Sequence, residues 1–152
     1  MSNFEQVRDV LKYLTGLHGR IRDLYADLSN TAKSERVRML LNLLCQHEEG
    51  FQGSLTTHIQ QGSSAVLDTY FQYSHESNVD ELFNVDNIDA ALNADDIEHI
   101  STRFCDYLDG FYAELIQVAE HSEVKSLFEN LREQQMQERK KLSTDIYISN
   151  SE

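Results

Sequence analysis

The sequence predicts an all-α protein: two long helical hairpins joined by a crossover of about 30 residues. Three observations predict it. The first is an internal repeat. Tyr25 to Leu55 aligns without a gap to Tyr112 to Leu142, over 31 residues and at an offset of 87. The residues kept in both copies are mostly apolar or aromatic: Tyr25 and Tyr112, Leu28 and Leu115, Val37 and Val124, Leu44 and Leu131, Leu55 and Leu142. A repeat that keeps its apolar positions and varies its charges preserves a packing surface. The second observation is that proline is absent from all 152 residues, which suits long uninterrupted helices because interior proline costs roughly 3 kcal/mol. The third is apolar spacing of three and four residues along four segments, the period of one helical face.

The first helix is expected over residues 4–30, with Phe4, Val7, Leu11, Leu14, Ile21, Tyr25 and Leu28 inward. Ser2 or Asn3 would cap it, and Asp9 would sit near the positive end of its dipole. The second spans about 34–62. Ser34 is its N-cap, Val37, Leu40, Leu44, Glu48, Phe51 and Leu55 face inward, and Gly62-Ser63-Ser64 stops it. Residues 64–93 form the crossover. It would hold an apolar piece from Val66 to Tyr73, a polar turn at 74–78 and a short helical piece at 80–85. It is too short and polar to close a core of its own. The third helix is expected over about 94–121 and the fourth over 123–143, followed by a short loose or docked tail. The whole chain, 1–152, reads as a single domain.

The totals limit the function. The formal charge is -13, a surface that repels phosphate backbones and anionic lipid, so neither nucleic acid nor membrane is an expected partner. No apolar run approaches the ~20 residues of a membrane span, and the N-terminus has no signal pattern, so a cytoplasmic protein is expected. Neither Cys45 nor Cys105 lies in a CxxC, which leaves no zinc-finger or thioredoxin-type signature.

With repeat and crossover in place, the chain resembles the ferritin-like superfamily, specifically its rubrerythrin-like branch. The phrases SERVRMLLNLL and GFYAELIQVAEHSEVKSLFENL carry the resemblance. The family implies a four-helix bundle in which each half has a Glu seven residues before a Tyr, and a Glu-x-x-His on its second helix. The slots seven residues before Tyr25 and Tyr112 hold His18 and Cys105. The Glu-x-x-His slots hold Glu48 with Phe51, and Gln135 with Glu138. Only Glu48 keeps the family's residue. A di-iron carboxylate centre needs bridging carboxylates and an imidazole for each iron, so the family's iron and oxygen chemistry is not expected here.

Two readings of the altered slots remain. In one, the site has been filled: Glu48 pairs with His18, Gln135 bridges by a neutral hydrogen bond, and Phe51 occupies the metal's space. In the other, His18, Glu48, Cys105 and Glu138 form an atypical iron or zinc centre of a metal-dependent redox protein. The expectation is the first: no cofactor, and a non-catalytic binding or structural module, acting as a homodimer on an unknown protein or small-molecule partner. The apolar residues Tyr70, Phe71 and Tyr73 of the crossover are expected to lie exposed and to favour association. Gly16 and Gly19 flank His18, and Gly50 and Gly53 flank Phe51. They mark either a groove or room made for the Phe51 and Tyr25 rings.

Overall fold

The structure, a computed structural model, describes residues 2–75, 79–84 and 92–151. It is mostly helical. In chain order it contains β1 (Ser2–Gln6), α1 (Val7–Thr31), α2 (Glu35–Gln61), the one-turn α3 (Ser64–Leu67), β2 (Tyr70–His75), a 3-10 turn (Val79–Phe83), α4 (Ala94–Val118) and α5 (Ser122–Ser151). No described helix is long and apolar enough to cross a membrane.

The four long helices pack around one core, and the repeat explains which side chains build it. Tyr25 and Tyr112, Leu44 and Leu131, and Leu55 and Leu142 are buried in both copies. Cross-helix contacts give the directions. On α1 and α2, Ser29 meets Asn42 and Arg22 meets Gln52, so the two run antiparallel. Arg132 clamps Asp109 with two hydrogen bonds, and Arg139 pairs with Asp106, which sets α5 antiparallel to α4. Tyr13 meets Tyr107 and Tyr25 meets Phe104, so α4 also runs antiparallel to α1. The chain between α2 and α4 must therefore travel from one end of the molecule to the other.

Local signals place the helix ends. The Ser34 side chain accepts from the Val37 N–H and caps α2. Asn93 and Asp96 exchange side-chain-to-backbone hydrogen bonds at the start of α4, a capping box. At the end of α2 the Gly62 N–H donates to the His58 carbonyl. A Cβ there would lie 2.5 Å from that same oxygen, so this close approach needs glycine.

Three elements differ from the sequence reading. Residues 2–6 are a strand rather than the first turns of α1. β1 pairs antiparallel with β2, Phe4 opposite Tyr73. Phe4 is buried in either conformation and packs edge-on against Tyr13 and Phe111, so its hydrophobicity could not separate the two. The actual α1 cap is Gln6, whose N–H donates to the Asp9 carboxylate. Second, the crossover piece at 66–73 is not an exposed apolar patch. Tyr70 is exposed, but Phe71 is buried against Phe128 and Tyr73 packs over Phe111. Third, the expected tail is helical through Ser151. Nothing in 122–151 stops a helix, since it contains neither glycine nor proline. The expected turn at 74–78 and helical piece at 80–85 fall partly outside the described residues; within them, residues 79–83 form the 3-10 turn. That turn is held by Arg20, which pairs with Asp80 and stacks over Phe83, and by Arg103, which donates to the Glu81 carbonyl.

Candidate functional site

The 3-4 spacing that buries one face of α1 and α2 also buries His18 and Glu48, because each falls on that face. His18 is fully enclosed. Its Nδ1–H donates to Glu48 Oε2 at 2.5 Å. Phe51, one turn along α2 from Glu48, lies nearly parallel to the imidazole, with ring centroids 4.9 Å apart and 19° between planes. A carboxylate and an imidazole are thus removed from water together and roofed by an aromatic ring. A buried charge is tolerated when paired in this way, and is costly when it is not.

The Glu48 charge acts on the Tyr25 and Tyr112 hydroxyls and on the Cys105 thiol. Burial, and then the Glu48 charge, hold Tyr25 well above the usual phenol range, although a hydrogen bond with Ser101 works the other way. Tyr112 is raised by the same two causes. Burial pushes the Cys105 thiol up to about 11; nearby Arg139 opposes the rise and Glu48 adds to it. Cys105 is therefore a protonated, apolar-like side chain, as buried free cysteines usually are. It borders a cavity of about 20 Å³ beside Ser101, Arg139 and Leu142.

The remaining slots do not converge on this pair. Glu138, on α5, takes a hydrogen bond from His47 Nδ1 at 2.7 Å. Its partner is thus His47 rather than the enclosed pair, and its side chain is about one-third exposed (33%). Gln135 is buried, but its Oε1 has no hydrogen-bond partner among the described residues, so it does not bridge as expected. His18 Nε2 is the other buried side-chain polar atom without one. Among the described residues no three His, Cys, Asp or Glu side chains gather into a group able to hold a metal ion. The donor set present does not fit a di-iron centre: Phe51 offers no donor, the His18 imidazole is committed on Nδ1 to Glu48, and Glu138 is committed to His47.

His47 is not among the site residues expected from the sequence. Its ring is nearly enclosed, and its bond to Glu138 spans α2 and α5. The signal lay in spacing: Leu43, His47, Gly50 and Ser54 recur every three or four residues along a second stripe of α2. That stripe faces α5, where Ser54 meets Gln134. Beside the dyad a groove of about 390 Å³ opens between the two helices, bounded by Leu43, Phe51, Lys141 and Asp145 among others. Gly50 borders it, and a Cβ built at Gly50 or Gly53 would meet nothing within 4 Å. Gly53 therefore does not make room for the Phe51 or Tyr25 ring. Gly19 differs: a Cβ there would meet the Gln52 side chain at 2.8 Å.

No protein-family model matches the chain, and no curated protein or solved structure matches it either.

Proposed function

We propose that the chain is a ferritin-like four-helix bundle whose di-iron position has been closed by packing, and that it works in the cytoplasm as a non-catalytic binding or structural module, with the homodimer as its assembly. The observation that carries this reading is Phe51 stacked on His18 over the Glu48 pair. The position that would need a second imidazole instead supplies an aromatic ring that fills the space. The antiparallel hairpins and the repeat buried in both copies support the scaffold.

The test is metal analysis of protein purified without chelator, together with its mass in solution. Far below one equivalent of iron or zinc, unchanged in Glu48→Ala, supports a closed site. One equivalent or more, lost in Glu48→Ala, overturns it in favour of a metal-dependent redox protein built on His18, Glu48, Cys105 and Glu138. A monomer in solution would remove the homodimer alone.

A further inference from the structure

Outside the enclosed His18–Glu48 pair, uncommitted polar groups collect along one feature, the groove between α2 and α5. His47 has its Nδ1 on Glu138 and makes no other hydrogen bond among the described residues. Its second ring nitrogen is thus available on a ring whose orientation the carboxylate fixes, as in other imidazoles presented to a ligand. Lys141 and Asp145 line the same groove. They stand one helical turn apart on α5, and neither is in a hydrogen bond or ion pair among the described residues. Leu43 and Phe51 supply an apolar floor, and Gly50 leaves the wall open. A volume of about 390 Å³ lies in the range of small-molecule sites, about 300–1,000 Å³.

The charges narrow the ligand. A polyanion such as a phosphate ester would face Asp145, Glu138 and a chain of net charge -13. A simple diamine would meet Lys141 between the two carboxylates. A neutral zwitterion avoids both conflicts. Its carboxylate can meet Lys141, its ammonium can meet Asp145 and donate to His47 Nε2, and an apolar side chain can rest on Leu43 and Phe51.

We infer that the α2–α5 groove beside the His47–Glu138 dyad binds a free α-amino acid with an apolar side chain. This rests on the reading of the chain as a binding module and gives that module a ligand class.

The experiment is an NMR titration of the full-length protein with L-leucine, with N-acetyl-leucine and leucinamide as probes lacking one charge. Leucine should give saturable shifts at Gly50, Gly53 and the His47 ring, complete by concentrations of ~10 mM and corresponding to a dissociation constant of ~1 mM or tighter. Each capped probe should bind more weakly. Lys141→Gln and Asp145→Asn should each weaken leucine about two- to fivefold, the range of solvent-accessible ion pairs. Gly50→Leu should abolish the shifts at Gly53 and the His47 ring while the protein's other resonances stay those of the folded chain, and Gly50→Ala, whose Cβ meets nothing within 4 Å, should keep the unfolding midpoint at or above that of the unchanged protein. Absence of saturable shifts with leucine, or equal binding of the capped probes, overturns the inference. So does undiminished binding in Gly50→Leu. A metal-free protein that ignores leucine loses this inference and keeps the closed-site reading. A protein with stoichiometric metal lost in Glu48→Ala loses that reading whatever leucine does.

Discussion

Phe51 lies flat against His18, with ring centroids 4.9 Å apart. It roofs an imidazole whose inner nitrogen is already tied to Glu48. Removing the ring takes away packing and opens a way for water to the pair. Phe51→Ala should lower stability by about 3–5 kcal/mol, the usual cost of deleting a buried phenyl group. Urea unfolding followed by circular dichroism measures it. A loss under about 1 kcal/mol would mean that the ring is not an integral part of the core.

The pair itself gives an asymmetric prediction. His18→Leu and Glu48→Leu each break the buried pair and should each cost about 3–5 kcal/mol, whereas the two together should recover most of that loss. The comparison is a double-mutant cycle read from denaturant midpoints. Strict additivity of the two single losses would show that the residues do not act as a pair.

The glycines separate open from crowded backbone. A Cβ at Gly50 or Gly53 meets nothing, while one at Gly62 meets the His58 carbonyl at 2.5 Å. Gly50→Ala and Gly53→Ala should each raise stability by up to about 1 kcal/mol through helix propensity, and Gly62→Ala should lower it. Thermal unfolding of the three variants checks the signs.

Cys105 makes stability fall at high pH. Its folded thiol titrates at about 11, above the ordinary value of 9.0. The fold therefore favours the protonated form. That contribution is complete below about 9, where both states are protonated. It declines as pH rises from about 9 to 11, where the unfolded chain ionises and the folded one does not, and it does not recover above that. Denaturant midpoints for the unchanged protein and Cys105→Ala should show a smaller alkaline loss in the variant over that window. Iodoacetamide should accordingly modify half-buried Cys45 before Cys105 at pH 8.

The helices and their inward faces were legible because a long 3-4 pattern is hard to mistake, and the repeat stated it twice. The pairing of His18 with Glu48 was legible for the same reason: both sit on buried faces of adjacent antiparallel helices. What stayed hidden depends on how a helix turns about its own axis toward a third neighbour. Glu138 fell on a ligand slot by count, yet it faces His47 across α2 and α5. Gln135 was expected to bridge, yet its Oε1 has no hydrogen-bond partner among the described residues. The strand at 2–6 was hidden differently, since its pairing depends on a segment far along the chain rather than on any local period.

That pairing bears on how the molecule forms. Phe4 meets Tyr73 across the two-stranded sheet, and the Val7 N–H that begins α1 donates to the Thr69 carbonyl. The α1–α2 hairpin needs only the three-residue link 32–34 to close. The loop that fixes the start of α1 is more than twenty times longer, and by chain-closure entropy its closing costs about 3 kcal/mol more. The hairpins can thus assemble early from local contacts, whereas the N-terminal strand must wait for the crossover to arrive. Folding should accordingly be slower than local helix–helix contacts alone would allow, with β1 and the first turn of α1 the last to gain protection from hydrogen exchange.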